Sequence, residues 1–196
     1  SPGRGAVPGP LRAGPGRVVT LSGPRRRVVF ALGSNLGDPL GALRAAAARL
    51  ASDLERPEVS AVYRTPPEGG ALQPPYLNAV LAGDGTLDPA EALALAREAE
   101  RGAGRERPYP GAPRTLDVDV LFVGDAVLDT PSLRIPHPRW RTRDFVVVPL
   151  LDVAPDLRDP ETGDCVRDVA RSAGWGPERF PLVVERGALL SPGEGA

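Results

Sequence analysis

Two aspartates, Asp117 and Asp119, stand two apart in PRTLDVDVLF, residues 113–122, inside an otherwise mostly apolar run. Side chains alternate along a strand, so both carboxylates project to one face while Leu116, Val118 and Val120 project to the other. Like charges this close raise each other's pKa unless a cation intervenes, and burying either one unpaired is unfavourable. A hard divalent ion such as Mg²⁺, bound by one or two carboxylates plus phosphate oxygens and water, meets that need. For a bare Asp-x-Asp, the plainer reading is an outer strand face with both acids solvated.

The neighbouring cations change the balance. Arg105 and Arg107 lie in the preceding loop RERPYPGAP, Arg114 comes three residues before Asp117, and Arg139, Arg141 and Arg143 follow in PHPRWRTRDF. Acids that hold a metal and arginines that hold phosphate are the two halves of a magnesium–nucleotide site. The chain is rich in arginine, however, with 24 basic residues and no lysine, and loop arginines are usually solvated. Tyr76 and Asn78 share a strand face, and an aromatic plane beside an amide suits a flat heterocycle or an ordinary core. His137, the only histidine, sits between two prolines, where a structural role is the commoner one. The glycines of GSNLGD form neither a Walker loop nor a dinucleotide fingerprint.

These residues need elements to position them. RVVFALGSN reads as a strand ending at Gly33; Asp38 and Pro39 then open a helix with Leu40, Leu43, Ala47 and Leu50 on one stripe. EVSAVYRT (58–65) and YLNAVLAGD (76–84) read as strands joined by a proline-rich loop. Asp88 and Pro89 open a second helix to about Glu100, closed by Gly102 and Gly104, and TLDVDVLFVGD is the last core strand. The order β-α-β-β-α-β predicts an α/β (α+β) fold with a ferredoxin-like core. An added hairpin at VLDTPSLRIP and one or two helices follow. FVVVPLLDVAP is ambiguous, because its apolar run is continuous.

Residues 1–26, rich in Pro, Gly and Arg, read as a disordered arm, 27–185 as one domain and 186–196 as a flexible tail. The net charge of −1 argues against a general nucleic-acid or membrane-surface binder. Cys165, the single cysteine, excludes a disulfide framework. No apolar run is long enough to span a bilayer, and the first residues lack a signal-peptide core, which leaves the cytoplasm as the expected location. Ser1 in place of an initiating Met fits a processed chain or one cut from a longer polypeptide.

Taken together, ALGSNLGD, VYRTPP with QPPYLNAV, the E-x-x-x-G-R of Glu100 to Arg105, PRTLDVDVLF and IPHPRWRTRDFVVVPLLDVAP resemble the 6-hydroxymethyl-7,8-dihydropterin pyrophosphokinases of folate biosynthesis. They occur in the family's order across roughly residues 28–157. The resemblance implies transfer of pyrophosphate from MgATP to the pterin's hydroxymethyl oxygen, with release of AMP. It further implies that Asp117 and Asp119 bind two Mg²⁺ ions, that Arg105, Arg107, Arg114, His137 and Arg143 hold the triphosphate, and that Glu100 helps place the nucleotide sugar. Tyr76 and Phe145 would sandwich the pterin, Asn78 would hydrogen-bond its edge and Thr65 would offer backbone contacts. Arg105, Arg107, Arg114 and Asp117 are the expected catalytic set, with Asp117 a candidate acceptor for the hydroxyl proton. The 105–113 loop departs from the family pattern: it is one residue shorter, with Gly111 where some members carry a tryptophan, and Tyr109 is the candidate aromatic plug. Pro138 replaces a tyrosine.

The expected partners are small molecules alone, acting on a monomer without nucleic acid or membrane. One rival reading is a domain of a bifunctional dihydroneopterin aldolase–pyrophosphokinase. The other is a ferredoxin-like RNA-binding module, which the low aromatic content of 5% and the acidic pair disfavour.

Overall fold

The computed structural model describes residues 24–68, 72–103 and 115–191. Its core is an antiparallel sheet built from β1 (Arg26–Ser34), β2 (Glu55–Val59), β3 (Val62–Thr65), β4 (Tyr76–Gly85), β5 (Asp117–Val123) and β8 (Leu182–Val184). The strand order is β5-β1-β4-β3-β8, with β2 also paired to β4. Helices α1 (Pro39–Ala51) and α2 (Pro89–Gly102) complete the expected ferredoxin-like core. Both helices start as the sequence indicates. The Asp38 carboxylate accepts the Gly41 N–H at 3.0 Å. Asp88 and Glu91 form a reciprocal capping box, with both bonds at 2.8 Å.

The single strand expected over 58–65 is instead two pieces. Between them the Ser60 hydroxyl accepts the Val80 N–H at 2.8 Å and donates to the Ala61 carbonyl at 2.6 Å. Asp152 on the facing helix accepts the Ala61 N–H at 3.0 Å. Side chains thus take over part of the ladder at the kink, while the Ser60 N–H keeps its bond to the Val80 carbonyl at 2.9 Å, a competition that periodicity does not register.

The sheet separates two cores. On one face Phe30, Leu32, Leu81 and Val120 pack against Leu43, Leu50, Leu95 and Ala96 of α1 and α2. On the other, Val29, Val80, Leu121 and Phe122 meet α3 (Asp144–Val153) and α4 (Val166–Ala173). The ambiguous FVVVPLLDVAP run is therefore helical, and it lacks an apolar/polar rhythm because Val146, Val147, Val148, Leu150 and Val153 are all buried. Strands β6 (Leu128–Asp129) and β7 (Arg134–Ile135) form the expected hairpin, followed by a cis Ile135–Pro136 bond. Strand β8 extends the sheet beyond β3. Leu189, only 3% exposed, packs into the α1/α2 core, so the boundary placed after residue 185 is corrected to lie beyond it.

Candidate active site

Helix α3 covers only part of its face of the sheet. The opening left beside its first turn holds a cavity of about 440 Å³, within the range of roughly 300–1,000 Å³ usual for small-molecule sites. Strand register assembles its floor. Gly33 on β1 stands opposite Asp117 on β5 and opposite Asn78 on β4, and Ala31 stands opposite Asp119. Tyr76 pairs with Thr65 one step further along. Residues facing each other in a ladder share a face, so three strands bring the acids, the amide and the aromatic ring together. A methyl group on Gly33 would lie 2.9 Å from the Asn78 Oδ1, so glycine keeps this floor open.

Thr65, Tyr76, Asn78, Asp117, Asp119, Arg143 and Phe145 all line the cavity. Asn78, 8% exposed, donates to the Thr65 hydroxyl at 2.7 Å, which fixes its amide plane. The Tyr76 hydroxyl donates to Gln73 Oε1 at 3.3 Å, and Asn35 donates to the same oxygen at 3.1 Å. These bonds tie the loop before β4 to the turn after β1.

At the acidic end, Arg143 Nη1 lies 3.4 Å from Asp119 Oδ2 and its Nη2 lies 3.6 Å from Glu68. Its guanidinium carbon sits 5.4 Å from the centre of the Phe145 ring. His137 points Nε2 at Asp119 from 3.8 Å while Nδ1 accepts the Arg139 N–H at 3.2 Å, so the neutral ring carries its proton on Nε2. Burial pushes the His137 pKa below its ordinary value and Arg143 adds to this, against the upward pull of Asp119. Among the described residues, no group of three or more His, Cys, Asp and Glu could hold a metal by itself.

Two residues of the sequence reading stand outside this lining. Glu100 is buried, outside the cavity lining, and its Oε1 accepts the Val118 N–H at 3.0 Å. It thereby anchors edge strand β5 between the two aspartates, where the outward N–H has no strand partner. Arg141, offered by spacing as a possible phosphate ligand, turns away to pair with Asp159. Arg105, Arg107, Arg114, Tyr109 and Gly111 lie outside the described residues. Glu68 and Gln73, from the proline-rich loop, and Arg139 also border the cavity. The sequence signal for Gln73 was QPPYLN itself, a segment tied closely enough to β4 to bring that side chain with it.

The fold and this cavity define a ferredoxin-like α/β protein with a small-molecule site that joins an acid–arginine end to an aromatic–amide end. The model of the 7,8-dihydro-6-hydroxymethylpterin-pyrophosphokinase (HPPK) family matches residues 29–155. The chain is 39% identical over 158 residues to a Pseudomonas aeruginosa 2-amino-4-hydroxy-6-hydroxymethyldihydropteridine pyrophosphokinase, covering 80% of this chain and 98% of that protein. A protein of that name from Mycobacterium tuberculosis H37Rv is 40% identical over 155 residues, 74% of this chain and 81% of its own length. Among solved structures, a Plasmodium falciparum HPPK-DHPS triple mutant superposes with a TM-score of 0.62 at 13% identity, over 80% of this chain and 44% of that one. That likeness concerns the fold, and the chain spans less than half of the longer protein. The chain belongs to the HPPK family.

Proposed function

We propose that this chain transfers pyrophosphate from ATP to the hydroxymethyl group of 6-hydroxymethyl-7,8-dihydropterin, releasing AMP, in folate biosynthesis. The observation that carries this reading is one cavity shared by the acid pair Asp117 and Asp119 and the Tyr76, Asn78 and Phe145 group. Tyr76 and Phe145 supply aromatic walls for a flat bicycle. Asn78 and the Thr65 backbone supply hydrogen bonds that a pterin edge can match. Both curated relatives carry the pyrophosphokinase name alone, which favours this activity by itself over the bifunctional aldolase reading.

The donor set fits Mg²⁺. Two carboxylates stand on one strand face beside open space, and the described residues offer no protein-only shell. This is the arrangement expected when phosphate oxygens and water complete the coordination. Asp117 and Asp119 would hold two Mg²⁺ ions, whose chemistry when bound is to neutralise polyphosphate charge and polarise the group being transferred. Arg143 leaves Asp119 and Glu68 for the phosphates, and His137 donates Nε2–H to the same group. Arg105, Arg107 and Arg114 complete the triphosphate clamp in this reading, with Glu100 toward the nucleotide sugar. The pterin hydroxyl oxygen forms a bond to the β-phosphorus, and the bridging bond to the α-phosphate breaks with its electron pair leaving on AMP. The hydroxyl proton passes to Asp117. Positioning and charge stabilisation supply most of the acceleration. The protein acts on these small molecules as a cytoplasmic monomer.

The test is release of AMP from MgATP with and without the pterin, with the pterin product identified by mass. AMP and a pterin diphosphate, each dependent on the other substrate, are expected. Release of ADP, or of AMP without the pterin, contradicts the proposal. RNA retention on a filter without Mg²⁺ would favour the RNA-binding alternative instead.

A further inference from the structure

The chain still reaches the site beyond residue 155, where the family match ends. A short turn, Pro177–Arg179, brings Arg179 to the first turn of α3. Its Nε donates to Asp144 Oδ2 at 2.7 Å, and its Nη2 lies 2.6 Å from the same oxygen. The other oxygen of that carboxylate, Oδ1, accepts the N–H of Phe145 at 2.8 Å. Phe145 is the α3 residue whose ring borders the cavity.

Helix α3 begins without a capping bond from the side chain of Arg143, the residue before it. The first N–H groups of a helix need acceptors, and here the Asp144 carboxylate takes one of them. A carboxylate held at one oxygen can swing, whereas one also gripped by a guanidinium fork has its plane fixed. Arg179 is itself restrained, with its guanidinium carbon 5.7 Å from the Trp175 ring centre and 5.6 Å from that of Phe180. Its side-chain freedom is already reduced by that packing, so the pair exceeds an ordinary surface ion pair.

We propose that Arg179 is a positioning residue for the pterin end of the site: through Asp144 it sets the first turn of α3 and the orientation of the Phe145 ring. The proposal rests on the reading of Phe145 as a wall of the pterin slot. Arg143 packs on the Phe145 ring but also has its own ties to Asp119 and Glu68, so the effect falls mainly on the pterin and little on the nucleotide.

The experiment titrates the full chain with the pterin by fluorescence and with a non-hydrolysable ATP analogue by calorimetry. The variants are Arg179→Met, Arg179→Lys, Asp144→Asn and the double variant Arg179→Met/Asp144→Asn, each with a melting temperature as fold control. The pterin Kd is expected to rise about three- to tenfold in Arg179→Met, since the pair is partly exposed. The nucleotide Kd should stay within about twofold, Arg179→Lys should recover part of the loss, and the double variant should be no worse than either single one. An unchanged pterin Kd in Arg179→Met overturns the proposal. So does parallel weakening of both ligands with a lowered melting temperature, which marks a merely structural contact. If the wild-type chain binds no pterin, the reading of the site falls and takes this proposal with it. Wild-type binding with indifferent variants removes this proposal alone.

Discussion

Asp159 and Asp119 each meet an arginine from the same short segment, Arg141 and Arg143, yet the two pairs differ in how fully they are bonded. The Asp159 side chain is 1% exposed and its oxygens accept from the Trp140 indole at 2.8 Å, from the Glu161 and Thr162 N–H groups at 2.8 and 3.2 Å, and from Arg141. Burial pushes its pKa up, but those donors outweigh burial and hold it below the ordinary carboxylate value. The Asp119 side chain is 35% exposed and, among the described residues, meets its cations at 3.4 and 3.8 Å, longer than the roughly 2.7–2.9 Å of a strong charge-assisted bond. Opposite it, the buried Nε of Arg143 has no hydrogen-bond partner among the described residues. The first cluster is saturated and holds the fold, while the second keeps bonding capacity facing a cavity. In the proposed function, this loosely engaged acid and cation beside open space are where a third, charged participant enters.

The sharpest way to break this contrast is to neutralise acids on each side of it. Asp117→Asn is expected to lower turnover by at least about 100-fold at saturating Mg²⁺, with an unchanged melting temperature. Near-normal turnover would remove its role as proton acceptor. Arg143→Met should lower kcat/KM about ten- to 100-fold, with the loss concentrated in the nucleotide, as steady-state kinetics in both substrates will show.

Asp159→Ala inverts the pattern. It leaves the Trp140, Glu161 and Thr162 N–H groups without their acceptor and Arg141 with Thr162 and Asp164, and should cost about 2–3 kcal/mol in denaturant unfolding. The turnover of the molecules that remain folded should change little. A catalytic defect without a stability defect would place Asp159 in the site after all. The smallest effect concerns pH. Because the folded state lowers the Asp159 pKa from its ordinary 3.8, its contribution is full above that value and is lost as pH falls through the folded value. Wild-type stability should therefore decline more steeply than that of Asp159→Asn below about pH 4 in acid unfolding.

Much of this was legible in the amino-acid string, because the decisive signals are local. Asp-x-Asp and Tyr-x-Asn each commit two side chains to one face, and Asp-Pro marks the start of both core helices. What escaped depends on long-range register or loop closure. That Arg141 would leave and Arg143 stay is decided by the tight turn Trp140–Thr142 and by an acid some 18 residues downstream. Glu68, Gln73 and Asn35 enter through loops whose course no periodicity encodes. Ser60 breaks a strand by offering a hydroxyl to the ladder. Strand β8 and buried Leu189 lie in a stretch too short and too mixed to declare itself, yet the same stretch supplies Arg179.

The central claim is that Asp117 and Asp119 become tolerable neighbours by sharing a divalent ion with a polyphosphate. Calorimetric titration of a non-hydrolysable ATP analogue, with and without Mg²⁺, in the wild type and in Asp119→Asn, tests it directly. Tight binding is expected only for the wild type with Mg²⁺, with loss of most of the Mg²⁺ dependence in the variant. Equal affinity with and without Mg²⁺ in the wild type, or an undiminished Mg²⁺ response in Asp119→Asn, would contradict it.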